Sequence, residues 1–80
     1  MLNIQNYITV DKQTLGGTPV FKNTRVPVES LMDHLEKGIS IDEFLEDFPT
    51  VTKEQAVAVL EIAGKLLSSV NILKMYETVA

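Results

Sequence analysis

The sequence predicts a mainly α domain in which three helices follow an N-terminal β arm, and three observations carry that prediction. Residues Gly16 to Val28 combine turn chemistry with β-branching. From Pro27 onward, apolar residues recur at helical spacing and break at Gly38 and Pro49. Two capping signatures, Ser40 with Glu43 and Thr52 with Gln55, open the later helices.

The arm organises the chain. Gly16-Gly17 opens a tight turn because glycine accepts a positive φ. Val20-Phe21 and Arg25-Val26 flank Lys22-Asn23-Thr24, which reads as two short strands around a small turn. Pro19 and Pro27 cannot donate to a ladder and belong at strand ends or edges. Upstream, Ile4, Tyr7, Ile8 and Val10 suggest an extended segment, followed by a turn at Asp11-Lys12-Gln13.

The helices follow in order. The first is expected from about Val28 to Lys37, with Leu31, His34 and Leu35 on one face and Gly38 as its left-handed stop. The second begins at Ser40, buries Ile41, Phe44, Leu45 and Phe48, and ends at Pro49. The third carries Ala56, Val59, Leu60, Ala63, Leu66, Leu67 and Val70 at helical spacing. Its polar face holds Glu54, Ala58, Glu61, Lys65 and Ser68, while Val57 and Ile62 widen the apolar arc. That excess fits either a subunit contact or a central helix covered on several sides. The tail Asn71 to Ala80 either extends this helix or breaks from it at Ser68-Ser69. The expected organisation is one domain: an arm over 1–28, helices over 29–70 and a tail over 71–80.

Eighty residues bury a marginal core, so association would help. The chain has no cysteine, hence no disulfide framework. Its N-terminus lacks a basic, then apolar, leader, and no run approaches a membrane span, so a cytoplasmic protein with no membrane role is expected. The formal charge of −4 is unevenly spread. Residues 1–28 set Lys12, Lys22 and Arg25 against Asp11; residues 29–54 carry eight acids against Lys37 and Lys53; the remainder balances. Attraction to nucleic acid therefore starts at the arm, unless its cations are only a solvated surface. The second and third helices permit a helix-turn-helix pair, yet the third offers phosphates Glu54 and Glu61 with only Lys53 and Lys65 to attract them.

Gly16-Gly17-Thr18-Pro19-Val20, Asn23-Thr24-Arg25-Val26-Pro27-Val28, Leu35 with Gly38, Ile39-Ser40, Asp47-Phe48-Pro49 and Thr52 through Ala63 stand in an order that closely resembles domain of unknown function family 433. Members of that family are usually described as antitoxin-like. Asn23 replaces a common glycine and Phe48 a common tyrosine. The resemblance implies a homeodomain-like three-helix fold with a β arm, and the role of antitoxin in a type II toxin-antitoxin pair. The implied partner is a PIN-like ribonuclease toxin from the adjacent gene, with promoter autoregulation as a second role and a homodimer as the expected assembly.

Two surfaces are expected on that basis. Lys22, Asn23, Thr24 and Arg25 would meet DNA phosphates, unless Arg25 bridges Glu29 or Asp33 instead. Ile72, Leu73, Met75, Tyr76 and Val79 would anchor the toxin, helped by carboxylates that mimic phosphate. His34 reads as a packed histidine rather than a metal ligand, and Asp42, Glu43, Glu46 and Asp47 as a solvated helix start. Gly16-Gly17-Thr18-Pro19 lacks the Lys-Ser/Thr of a phosphate loop, and no nucleophile-base pair is visible. No enzyme, cofactor or metal is expected. The other functional classes are a dimeric interaction adaptor without DNA binding and a stand-alone transcriptional regulator.

Overall fold

Asn23 takes a φ of 64°, which lets the chain reverse tightly between Phe21 and Val26 in the computed structural model, which describes residues 3–79. The Thr24 hydroxyl fixes that reversal by donating to the Phe21 carbonyl at 2.8 Å and accepting from the Val26 amide at 3.0 Å. The second half of the expected hairpin does not become a strand. Arg25-Val26 is replaced by a single bridge between Val20 and Pro27, because proline at that point has no N–H to continue a ladder. On its other side β2 finds a partner upstream. Strand β1, Ile8–Thr9, pairs antiparallel with β2, Val20–Phe21, placing Ile8 opposite Phe21 and Thr9 opposite Val20.

The residues before β1 are not extended as expected: Ile4–Asn6 form a 3-10 turn, capped by the Asn3 side chain on the Gln5 amide. Between the strands, Asp11 accepts from the Gln13 amide and forms the expected turn. Gly16 and Gly17 take φ of 66° and 93°, as a left-handed turn requires.

Four helices follow, where the sequence predicts three. Helix α1 spans Val28–Glu36 and α2 spans Ile41–Asp47; α3 spans Lys53–Leu67 and α4 spans Val70–Val79. Gly38, at φ 79°, closes α1, with the Ile39 amide donating back to the His34 carbonyl. At α2 only half of the expected capping box forms. Ser40 accepts from the Glu43 amide, but its hydroxyl donates to the Glu43 carboxylate, leaving the Ser40 backbone amide out of the pair. At α3 the box is complete: Thr52 caps the Gln55 amide and the Gln55 side chain caps the Thr52 amide.

Phe21, Leu31, Phe44, Val51, Ala56 and Val59 form the core, so the arm and three helices each contribute. All three phenylalanines meet there, with Phe44 centred 6.0 Å from Phe21 and 5.0 Å from Phe48. His34 packs edge-on to Phe44 at 5.1 Å, and its two ring nitrogens meet the Ser30 carbonyl and the Asp47 carboxylate. It is a packing residue. Ala58, expected on the polar face of α3, is buried with Ile62. One turn earlier, the Gln55 amide donates to the Lys22 carbonyl at 3.0 Å, which ties the arm to the start of this helix.

Candidate functional site

The first candidate surface is built around the arm turn. Arg25 and Asn23 are exposed, while Lys22 and Thr24 are half-buried. Among the described residues Arg25 forms no ion pair, so the alternative of a bridge to Glu29 or Asp33 does not form. Arg25 lines a groove of ≈ 660 Å³ together with Thr14, Asn23, Val26, Pro27, Phe48 and Thr50. The four residues expected to contact DNA are not equivalent. Thr24 commits its hydroxyl to the turn, Asn23 supplies the left-handed backbone, and the Lys22 backbone is held by Tyr7 and Gln55. Arg25 is the side chain this scaffold presents. Thr14 joins it from one distant stretch and Phe48 and Thr50 from another, a gathering for which the sequence offers no local signal.

The second candidate surface lies at the other end of α3. Helix α4 leaves α3 at a 54° bend after Ser68-Ser69. The Ser69 hydroxyl donates to the Leu66 carbonyl and the Ser68 amide reaches the Gly64 carbonyl, so local bonds close α3 where the next turn would begin. Leu66, Leu67, Val70, Leu73, Met75 and Tyr76 surround this elbow, each between 56 and 72% exposed. Ile72 is half-buried, and the side chain of Val79, also expected in the contact, lies outside the described residues. A concavity of ≈ 460 Å³ sits at the bend, lined by Leu67, Ser69, Val70, Leu73 and Tyr76 among others. Leu66, Leu67 and Val70, expected in the apolar face of a buried helix, are therefore open. At about 100° per residue, Leu66 continues the stripe of Ala56, Val59 and Ile62, yet the core ends before it. The helix outruns its domain.

The carboxylates of α2 are exposed, and Asp42 meets Lys53 at 3.6 Å between two well-solvated side chains. No single helix among the described residues is long and apolar enough to cross a membrane.

The paired arm, the αL turn at Asn23 and the three-helix core coincide with the span of a known family model, protein of unknown function (DUF433), which matches residues 8–63. The chain belongs to this family. The DUF433 match ends before Leu66, so the elbow and α4 lie beyond it. A similar curated protein, uncharacterized protein y4eO of Sinorhizobium fredii, is 38% identical over 48 residues, a span that covers 60% of this chain and 22% of that protein. The chain thus spans about a fifth of its relative's length. A solved structure, described as that of a DUF433 member protein from Anabaena variabilis, is similar with a TM-score of 0.67 and 29% identity over 78% of this chain and 61% of that one.

Proposed function

We propose that this chain is the antitoxin of a type II toxin-antitoxin pair and neutralises a PIN-like ribonuclease by direct binding. The observation that carries the reading is α4: a ten-residue helix with Leu73, Met75 and Tyr76 facing solvent beside a domain whose core is complete without them. Exposed anchors of this kind suit a protein partner. The exposed carboxylates of α2 suit the electropositive or metal-bearing channel that a ribonuclease needs for its substrate. Ile72, Leu73, Met75, Tyr76 and Val79 remain the toxin-facing set.

The test is co-expression with the product of the adjacent reading frame. A stoichiometric complex and rescue from growth arrest are expected, both lost in Leu73→Asp while the arm and core stay folded. A harmless neighbour that copurifies with nothing defeats the reading and leaves a stand-alone regulator or an adaptor.

Promoter binding is the second role, and the exposed, unpaired Arg25 favours it. We read α1 to α3 as a homeodomain-like unit whose α2–α3 pair resembles a helix-turn-helix, with DNA met by the arm because Glu54 and Glu61 make α3 a poor phosphate partner. Arg25→Ala should abolish retention of promoter DNA at low salt and change stability by less than about 0.5 kcal/mol. No retention of the unaltered protein even at low salt identifies the adaptor instead.

A further inference from the structure

We propose that the groove at the arm turn binds a small organic acid, one carboxylate joined to an apolar body. Charge comes first. Arg25 is the chain's only arginine, and none of the eleven acidic residues lines the groove with it. Among the described residues its guanidinium takes part in no ion pair and no side-chain hydrogen bond, so its fork of N–H donors is open to a ligand. That fork matches the two oxygens of a carboxylate in a bidentate pair. No second cation lines the groove, so it balances one negative charge and would leave a phosphate dianion half neutralised.

The lining specifies the rest of the ligand. Val26, Pro27 and Phe48 are half-buried and leave apolar surface on the groove, which a bare carboxylate would not cover. Thr14, Asn23 and Thr50 make no side-chain hydrogen bond among the described residues and can orient the polar end. One charge, a few hydrogen-bonding groups and an apolar wall are the make-up of a small-molecule site. The volume of ≈ 660 Å³ also falls within the ~300–1,000 Å³ of such sites. The concavity at the α3–α4 bend differs, because no charged residue lines it to fix a ligand's direction. Binding of the acid does not rest on the promoter reading. If both hold, the acid occupies a cation that DNA needs, and the ligand releases the promoter.

Titration of the whole chain with hydrocinnamate, followed by heteronuclear NMR without DNA, tests the proposal, so its outcome is separate from that of promoter binding. Saturable shifts are expected at Thr14, Asn23, Arg25 and Thr50, with a dissociation constant on the order of 1 mM. The uncharged hydrocinnamamide should bind about tenfold more weakly or worse, and Arg25→Gln should weaken hydrocinnamate to the same degree. Arg25 is exposed and unpaired, so the variant is expected to stay folded, and the amide reads the charge requirement with no substitution at all. Acetate, which lacks the apolar body, should also bind about tenfold more weakly. Absence of saturable shifts overturns the proposal, as does equal binding of the amide or an equal response to inorganic phosphate. Tighter binding of the blocked peptide acetyl-Phe-Glu-Phe-amide than of hydrocinnamate also overturns it and assigns the groove to an acidic side chain of a protein partner.

Discussion

The two ends of α3 carry the same apolar stripe and meet opposite fates. At its start, Ala56 and Val59 lie in a core shared with the arm, α1 and α2, and Gln55 ties the helix to the Lys22 carbonyl. At its end, Leu66 occupies the same azimuth and stands in solvent, followed by α4 with its apolar face open. The lesson is that periodicity assigns a face and says nothing of how far along the helix that face is covered. A stripe of leucines is buried only where another element reaches it.

The largest effect should come from cutting the packed end and sparing the open one. Phe44→Ala removes a fully buried ring in contact with Phe21, His34 and Phe48 and should cost about 3–5 kcal/mol, whereas Leu73→Ala should leave the stability of the isolated monomer within about 0.5 kcal/mol. Urea unfolding at low protein concentration measures both; similar losses would erase the distinction between the two ends.

Next in size is the tie between arm and helix. In Gln55→Glu one carboxylate oxygen can still cap the Thr52 amide, but the other faces the Lys22 carbonyl with no proton to donate. The expected cost is about 1–3 kcal/mol, with amide exchange accelerating first in the β1–β2 arm. If exchange in the arm is unchanged, the hydrogen bond across 33 residues of chain is not what holds it.

The smallest effect probes the far half of α3. Gly64 is helical, exposed and has nothing within 4 Å of where a Cβ would stand. Gly64→Ala should therefore stabilise by about 0.5–1 kcal/mol through backbone entropy and helix propensity. A thermal melt that falls instead would reveal a close neighbour at that position.

Local chemistry made much of this legible. Gly38 had to end α1, and Thr52 with Gln55 had to open α3, because each depends on residues within one turn of itself. The family resemblance, too, rested on these short ordered motifs, and the match over 8–63 covers the same stretch. The candidate site was half legible. Arg25 could be singled out by charge, but that it would stand unpaired in a groove with Thr14, Phe48 and Thr50 could not.

By itself the sequence determined the helix stops and caps, the turn residues, the aromatic and apolar stripes and the uneven charge, since these follow from backbone sterics and from side chains near in the chain. Only the tertiary structure decided that β2 pairs with Ile8–Thr9 on one side while bridging Pro27 on the other, that Ala58 is buried, and that Leu66 and α4 are left open. Those outcomes turn on which distant segments reach a given face, and distance in space is not written in local spacing.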